Sequence, residues 1–426
     1  MKQTMVEKMF SLKNTGGTEV KAGDLVTARL DGAVLLLPAD SVDEHLKDAG
    51  ISCGLPWVWD KEKVYYVMDH FQPAVNSHIA NRNKAGREMA RRLGLKYFYD
   101  SMPAVGHQVV CEKGYVKPGE LVIGIDSHAT MYGALNCFGT GIGEADMAYA
   151  LMFGELWFQV PQTIKIVLEG SRRKYPFSKD ILLYLAGKYG DDFAQYKALE
   201  FSGEYSEKIS IDERLCLSCQ SVDIGAKFGL FEFDDKTRAF YNKRNITRFD
   251  TISADDNAVY EQVISVNVDD IPFTVAKPHR LCNSVDVNEV SGTRIDQAVI
   301  GSCANGRYED IEIAARIIKG KHINPDVRFL IQPASWDIYR RCMEEGLVST
   351  ILDAGAFFLE PGCGSCQPLK GCLADGEVCI TSTTRNYKGR MGSADASIYL
   401  GGPATVAASA LAGEITDPTE VLDEIL

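Results

Sequence analysis

Histidine is scarce in this chain of 426 residues, and no apolar run approaches the length of a membrane span. The chain has seven histidines in all. The apolar stretch at residues 33–39 is short and contains Pro38, whereas a helix needs about 20 apolar residues to cross a bilayer. The sequence therefore excludes a helical membrane protein, and each histidine can be considered individually as a site candidate.

Basic residues are too few for binding to polyanions. Lysine and arginine number 45 against 58 aspartates and glutamates, which gives a net charge of −13 at pH 7. Nucleic acids and anionic membrane surfaces attract proteins with a basic face, so neither is expected as a partner. The composition, 46% hydrophobic and 24% charged, is typical of a soluble globular protein, and the length allows two to four domains.

The N-terminal residues do not resemble a secretory signal, because they include Lys2, Glu7 and Lys8 and contain no apolar core. Twelve cysteines are present. In a protein without such a signal we expect them to be reduced, because disulfides form mainly in oxidising compartments. We therefore expect a cytoplasmic protein whose cysteines are metal ligands or core residues.

Two glycine-flanked loops place cysteines at the ends of predicted strands. In the first, a strand at 298–300 runs into a loop that contains Cys303. In the second, residues 356–359 are predicted to form a buried strand that leads to Cys363 and Cys366. Glycines beside the cysteines let backbone amides approach a bound group closely.

The segment between these loops predicts how they are arranged. A strand at 327–331 is followed by a helix from about Ser335 to Gly346, and such alternation predicts a parallel sheet. Both cysteine loops are then expected at the carboxyl ends of strands, where open α/β sheets bind ligands. Three converging thiolates suit an iron–sulfur cluster with one open iron, or a zinc ion with an open position. Three unrelated core cysteines are the alternative, because free cysteine is among the most buried residue types.

Three of the seven histidines, His70, His107 and His128, follow predicted strands. Those strands lie at residues 64–68, 96–99 and 121–125. Asp69 directly precedes His70, and Asp126 lies two residues before His128. A carboxylate in such a position can fix the tautomer of an imidazole and raise its basicity. These residues are therefore candidates for proton transfer, although a single histidine taken alone is more often structural.

Weaker signals lie between these motifs. A glycine-rich run at 139–143 opens a helix predicted at 144–153, but it lacks the spacing of a dinucleotide fingerprint, and close packing explains its glycines more simply. Cys216 and Cys219 form a CxxC pair in a stretch predicted to be helical as far as Lys227, and we interpret both as core residues. Residues 192–199 are also predicted to be helical.

Two arginines follow another predicted strand. The strand lies at 378–381, and Arg385 and Arg390 bracket the turn after it. Two guanidinium groups at a strand end suit a di- or tricarboxylate, although a single arginine of this kind is usually a solvated surface residue.

Together these motifs resemble the aconitase superfamily, in particular the separate large subunits of 3-isopropylmalate dehydratase and homoaconitase. The resemblance covers nearly the whole chain. Its segments include Asp69-His70-Phe71-Gln72-Pro73, Gly106-His107-Gln108-Val109, Asp126-Ser127-His128, Tyr132-Gly133-Ala134, Gly301-Ser302-Cys303-x-Asn305-Gly306-Arg307, Pro361-Gly362-Cys363-Gly364-x-Cys366 and Arg385-Asn386-x-x-Gly389-Arg390. So many motifs in the family's order make the signal highly specific.

The resemblance implies one [4Fe–4S] cluster per subunit, held by Cys303, Cys363 and Cys366, with one iron open to a substrate. It implies acid–base and orienting roles for a set of polar residues, namely Asp69, His70, His107, Asp126, His128 and Asp223. It implies substrate contacts from four further residues, namely Ser127, Arg307, Arg385 and Arg390. The reaction would be dehydration of a small hydroxy di- or tricarboxylic acid and rehydration with the hydroxyl moved.

The implied fold class is α/β, with three aconitase-type domains at residues 1–130, 131–285 and 286–426 and the site at the carboxyl ends of strands. The family also uses a swivelling fourth domain that supplies a catalytic serine, and no counterpart precedes Leu426. In split members of the family this domain is a small separate subunit. We therefore expect a heterodimer or heterotetramer that is active only when complete.

Several positions depart from the family's pattern and bear on the choice of substrate. Ala129 and Ala304 stand where the family usually has threonine. Cys219 and Thr384 stand where it usually has asparagine, and Asp223 stands where it usually has glutamate. The implied cluster ligands and histidines are intact. The resemblance thus implies retained chemistry, with isopropylmalate of leucine biosynthesis as the first candidate substrate and homoaconitate or a methylated malate as alternatives.

Two other classes of protein stay open: a zinc hydrolase or zinc-binding protein that uses Cys363 and Cys366 with a histidine, and an NAD-linked dehydrogenase that uses residues 139–143. An iron–sulfur hydro-lyase made anaerobically should be brown, with absorbance at about 400 nm. The zinc protein should be colourless with stoichiometric zinc, and the dehydrogenase should bind nicotinamide. Cys303→Ser should abolish activity in the hydro-lyase and leave that of the dehydrogenase largely unaffected.

Overall fold

The computed structural model describes residues 2–37, 39–53, 58–100, 102, 104–171 and 173–425. Within these ranges, no helix is both long and apolar enough to span a membrane. The chain divides into two compact units. The first comprises Met1–Leu168, Ala194–Ile211 and Gly225–Val266, and the second comprises Glu169–Phe193, Asp212–Ile224 and Asn267–Leu426. The division into three domains stays a prediction.

The first unit is built on a five-stranded sheet whose neighbouring strands are all parallel. In order across the sheet, the strands are Tyr97–Tyr99, Val64–Val67, Gly32–Leu35, Leu121–Gly124 and Phe138–Gly141. Their central members are rich in buried valine, leucine and isoleucine, as expected for a sheet covered on both faces. Because the strands are parallel, the three histidine loops follow strand ends on one edge of the sheet.

Helices complete this part of the unit, and local sequence sets their ends. They span Met5–Lys13, Asp40–Cys53, Ser77–Leu93, Gly106–Glu112 and Glu144–Phe153. At Ser77–Leu93, the Asn76 side chain accepts a hydrogen bond from the backbone N–H of Ile79 at 2.9 Å. Gly94 ends the helix in the left-handed conformation, with φ 64°, as its position in the sequence predicts.

The remaining strands of the first unit form two smaller sheets. Four lie in the order Phe228–Phe231, Ala198–Ser202, Thr163–Glu169 and Gln262–Asn267, and Leu25–Arg29 pairs antiparallel with Glu155–Gln159. The short helices Glu204–Lys208 and Asp235–Asn242 belong to the same unit. The helix predicted at 192–199 is wrong, because residues 191–196 form turns that lead into the strand Ala198–Ser202. This strand is buried on both faces, so its residues lack the alternation that marks a strand in sequence.

The second unit is organised on a seven-stranded sheet. Its order is Ser284–Asp286, Thr274–Ala276, Ser397–Leu400, Val378–Thr381, Gln297–Ile300, Arg328–Ile331 and Phe357–Phe358. The last five are parallel, so both cysteine loops and the arginine turn follow carboxyl ends of strands, as predicted. The strand before Cys363 is nevertheless not buried. It is a two-residue edge strand, and Phe357 is 56% exposed.

Helices of the second unit span Ser178–Tyr189, Ile211–Gln220, Tyr308–Ile318, Trp336–Glu344, Leu347–Asp353, Pro403–Ala412 and Thr419–Ile425. The predicted helix through Lys227 is wrong in its second half. The α-helix ends at Gln220, the 3₁₀ turn Ser221–Ile224 follows, and Gly225 then adopts φ 94°. A left-handed glycine of this kind ends helices, and Asp223 consequently lies in the short turn.

The buried carboxyl of Glu200 offers a test of the first unit's interior. Its two oxygens accept hydrogen bonds from the backbone N–H of Met5 at 2.7 Å and the Tyr260 hydroxyl at 2.8 Å. Burial raises the pKa of Glu200 to about 7. The folded protein therefore holds this proton more tightly than the unfolded chain. The stability that Glu200 contributes is fully present below about pH 4 and is lost as the pH rises to about 7.

Glu200→Gln should remove this dependence. We expect the difference in free energy of unfolding between variant and parent to be more favourable to the variant at pH 8 than at pH 4, by up to about 3 kcal/mol. Urea denaturation at the two pH values measures it. Glu19→Gln changes an exposed carboxyl in the same unit and should show no such change. An unaltered pH dependence in the Glu200 variant would contradict the assignment.

Candidate functional site

In the first unit, Asp69 connects two of the histidine loops. Its Oδ1 lies 2.5 Å from Nδ1 of His70, and its Oδ2 accepts the backbone N–H of Gly106 at 2.9 Å. Gly106 begins the helix that carries His107, and Asp69, His70 and His107 are all buried. One carboxylate therefore positions the loops after two different strands.

Asp126 brings the three imidazoles together. Its Oδ1 lies 2.9 Å from Nε2 of His107 and 3.3 Å from Nδ1 of His128, and its Oδ2 lies 3.9 Å from Nε2 of His70. Burial acts to raise the pKa of Asp126, but the hydrogen bonds of His107 and His128 lower it well below its ordinary value. Asp126 is therefore a carboxylate at neutral pH, and the imidazoles surround a fixed negative charge.

Tyr132 is a member of this cluster that reasoning from residue types missed. Its hydroxyl lies 2.9 Å from Nδ1 of His107, and burial raises the pKa of Tyr132 well above its ordinary value. Because ionised Asp126 can only accept, Nε2 of His107 carries the hydrogen of that bond, and Nδ1 is the ring nitrogen that shares a hydrogen bond with the tyrosine hydroxyl. The sequence signal was its place in the segment Tyr132-Gly133-Ala134.

The glycine run at 139–143 supports the segment that carries Asp126 and His128. The 3₁₀ helix Ser127–Leu135 begins at Ser127 and lies against the strand Phe138–Gly141. A Cβ atom at Gly139 would lie 2.1 Å from the carbonyl oxygen of Ala129, and one at Gly141 would lie 2.8 Å from Cα of Ser127. Close packing therefore explains these glycines, as the sequence predicted.

In the second unit, the first cysteine loop has a strained backbone. Ser302, directly before Cys303, has φ 72°, which costs a non-glycine residue about 1–3 kcal/mol. The buried guanidinium of Arg307 donates to the carbonyl oxygens of Cys303 and Ala304, both at 2.6 Å. These bonds hold the loop in shape, and a substrate contact from Arg307 stays a prediction.

Gln332, which the sequence did not single out, joins the two cysteine loops. Its side chain accepts the backbone N–H of Ser365 at 2.8 Å and donates to the carbonyl oxygen of Glu360 at 3.0 Å. A Cβ atom at Gly301 would lie 2.9 Å from the carbonyl oxygen of Gln332 and 3.1 Å from Oγ of Ser365. The loops therefore meet at a position that has no room for a side chain.

The three predicted ligand cysteines are buried, and Cys366 lies in an environment that favours its thiolate. Arg390 donates from Nη2 to Sγ of Cys366 at 3.0 Å, and the Thr384 hydroxyl lies 3.5 Å from the same sulfur. Burial acts to raise the pKa of Cys366, but Arg390 lowers it below the ordinary thiol value against the opposing charge of Cys303. Cys363 lies in the same loop, directly before the 3₁₀ turn Gly364–Cys366.

The other predicted arginine pairs with a carboxylate. Nε of Arg385 donates to Oδ1 of Asp223 at 2.7 Å, and the Asp223 side chain is only 3% exposed. The pair joins the turn Ser221–Ile224 to the turn after the strand Val378–Thr381. The planar guanidinium of Arg385 is thereby fixed in orientation.

Cys216 and Cys219 are both buried, as predicted, but they are not equivalent. Sγ of Cys219 lies within 4.8 Å of Sγ of Cys303. Cys216 instead accepts a hydrogen bond from Gln220 at 3.1 Å. The sequence predicted their burial but contained no signal for the approach of Cys219 to Cys303.

The donor set of the second unit fits an iron–sulfur cluster. Its buried thiols include that of Cys366, whose thiolate form is favoured by Arg390. Thiolates are the usual ligands of such clusters. Among the residues that the structure describes, Oγ of Ser365 and Nε of Arg390 are buried without a hydrogen-bond partner. Both belong to the loops that carry or contact Cys366, where cluster sulfides would accept hydrogen bonds.

In each unit, side chains with chemical function lie at the carboxyl ends of parallel strands, which is where α/β proteins bind ligands. The model of the aconitase family (aconitate hydratase) matches residues 61–292 and 286–413. The chain belongs to the aconitase family.

Relatives match along nearly their full length. The 3-isopropylmalate dehydratase large subunit 1 of Methanopyrus kandleri is 39% identical over 99% of this chain and 100% of its own. The 3-isopropylmalate dehydratase large subunit of Caldanaerobacter subterraneus subsp. tengcongensis is 41% identical over 98% of this chain and 99% of its own. The holo-form crystal structure of Thermococcus kodakaraensis aconitase X aligns over 92% of this chain and 94% of its own, with a TM-score of 0.49 and 13% identity.

Gly301→Ala tests the meeting point of the cysteine loops. The added methyl should push the loops apart, destabilise the protein by about 1–3 kcal/mol and lower the iron and sulfide content after anaerobic reconstitution. Gly401→Ala, whose methyl would find its nearest neighbours at 3.6 Å, should retain the parent's content. Full iron and sulfide in the Gly301 variant would show that the close approach is not needed.

Proposed function

We propose that this chain is the large subunit of an iron–sulfur hydro-lyase, and specifically of 3-isopropylmalate dehydratase, which interconverts 2- and 3-isopropylmalate. The observation that carries the proposal is the Arg390–Cys366 contact at 3.0 Å, within a loop joined by Gln332 to the loop of Cys303. The contact favours the thiolate of Cys366 in a buried site. The chain is also about 40% identical to large subunits of that name.

In this proposal Cys303, Cys363 and Cys366 hold a [4Fe–4S] cluster. When bound, such a cluster supplies an iron without a protein ligand, which acts as a Lewis acid toward the substrate's hydroxyl and carboxylate. The hydrogen bonds of Arg307 hold the first ligand loop in place before the cluster binds, against the strain at Ser302.

The imidazoles of the first unit would handle the protons. Asp69, bonded to Nδ1 of His70, fixes that ring in place and leaves Nε2 to carry the proton given to the leaving hydroxyl. His107 is held at both ring nitrogens, by Tyr132 and Asp126, which suits orientation better than proton exchange. His128 and Ser127 would complete the contacts around the hydroxyl.

The arginines would bind the carboxylates of the substrate. Arg385 is oriented by Asp223, and Arg390 by Cys366 and Tyr387. Two of the departures from the family keep this arrangement: Asp223 still reaches Arg385, and Thr384 contacts Cys366. We therefore assign the same substrate class to this chain as to its relatives, with homoaconitate or a methylated malate as the alternatives that an assay must exclude.

The enzyme would work with a partner. The relatives are named large subunits, and the proposed partner is a small subunit that carries the swivelling domain with its catalytic serine. A heterodimer or heterotetramer in the cytoplasm, in leucine biosynthesis, follows from this assignment. The chain alone should bind its cluster but turn over substrate poorly.

The test is anaerobic reconstitution of the chain, co-expressed with a small subunit, followed by an ultraviolet assay of alkene formation from a panel of hydroxy acids. We expect a brown protein that is most active on 3-isopropylmalate. Cys303→Ser should lose both colour and activity, whereas Cys342→Ser, which changes another buried cysteine of the second unit, should keep both. Bound zinc without sulfide, or activity unaffected in Cys303→Ser, would contradict the proposal.

A further inference from the structure

Lys179 is a fully buried lysine that the proposed mechanism does not use. It lies near the start of the helix Ser178–Tyr189, and its side chain is fully buried. Its ammonium donates hydrogen bonds to Oε1 of Gln220 and to the carbonyl oxygen of Thr383, the latter at 2.8 Å. Both acceptors are neutral, so these bonds do not balance the charge.

The two acceptors belong to the two segments that carry the Asp223–Arg385 pair. Gln220 is the last residue of the helix Ile211–Gln220, three residues before Asp223. Thr383 lies two residues before Arg385, in the turn after its strand. Lys179 therefore ties together, from the interior, the same two segments that Asp223 and Arg385 join at 2.7 Å.

Burial disfavours the ammonium form and lowers the pKa of Lys179, so negative charge nearby is what favours the charged side chain. The groups that act on it electrostatically are Cys216, Asp223, Cys366 and Cys219. Asp223, which pairs with Arg385 at 2.7 Å, and Cys366, which binds metal as a thiolate, are the members of this group that supply the negative charge to balance Lys179.

We propose that Lys179 is a positioning residue for the site: it fixes Arg385 through the two segments that it joins, and it sets the electrostatic potential at the sulfur cluster as a buried counter-charge. The geometry of this inference is independent of the reaction, but its link to substrate and cluster rests on the proposed function. This role accounts for the presence of a lysine at a fully buried position, where leucine or methionine would be less costly to bury.

Four variants separate charge from position. Lys179→Met removes both the charge and the hydrogen bonds, and Lys179→Arg keeps the charge. Gln220→Met keeps the lysine but removes one of its two acceptors. Lys188→Met makes the same chemical change at an exposed lysine of the same helix and serves as the control. Urea midpoints identify any variant that does not fold.

Two measurements report on the two parts of the proposal. Titration calorimetry of malonate, a simple dicarboxylate, into the cluster-free chain should show about tenfold weaker binding for Lys179→Met and Gln220→Met, equivalent to the loss of one charged hydrogen bond. Electrochemistry of the reconstituted protein should show a more negative cluster potential for Lys179→Met alone. The Arg variant should retain the parent's potential, and Lys188→Met should match the parent in both assays.

The outcomes distinguish this proposal from the proposed function. Unchanged malonate affinity and unchanged cluster potential in folded Lys179→Met would overturn the role of Lys179 while leaving the hydro-lyase assignment intact. If neither the parent nor any variant assembles a cluster, but Lys179→Met still binds malonate more weakly, the proposed function is overturned and the positioning role is supported. If Lys179→Met does not fold, equal malonate affinity in Gln220→Met and the parent overturns the proposal.

Discussion

The second unit depends on one close approach, the contact of two cysteine loops at Gly301. Parallel pairing sets the strand Gln297–Ile300 beside Arg328–Ile331, and Gln332 extends from the end of the latter to hold the backbone of residues 360–365. The loops that carry the predicted sulfur ligands meet where Gly301 has no side chain. The hydrogen bonds of Arg307 hold the first of these loops despite the strain at Ser302.

In the first unit, charged hydrogen bonds rather than close backbone packing hold the loops together. Three imidazoles on three loops are held by two carboxylates, and Asp126 stays ionised because His107 and His128 hydrogen bond to it. The glycines of the strand Phe138–Gly141 let the segment of Asp126 lie directly on the sheet. In both units, groups that would repel one another or resist burial are fixed before any ligand binds, which is what preorganised catalysis requires.

Sequence reasoning predicted the parallel sheets, the loops at their carboxyl ends and the sets of residues in those loops, because periodicity and glycine-flanked motifs are local signals. It failed where tertiary context decides. The strand Ala198–Ser202 lacks alternation because it is buried on both faces, and Phe357 is exposed because its strand forms a sheet edge. Gln332 was missed because nothing in residue type or spacing marks a side chain whose partners are distant in sequence, and Tyr132 was marked only by the motif that contains it.

The central claim is that three cysteines of this chain hold one iron–sulfur cluster and leave one iron for the substrate. Mössbauer spectroscopy of the ⁵⁷Fe-reconstituted protein, recorded with and without the hydroxy acid, tests it most directly. The account predicts that a single iron site of the [4Fe–4S] cluster changes its isomer shift and quadrupole splitting when substrate is added. A spectrum in which substrate leaves every iron site unchanged would contradict it.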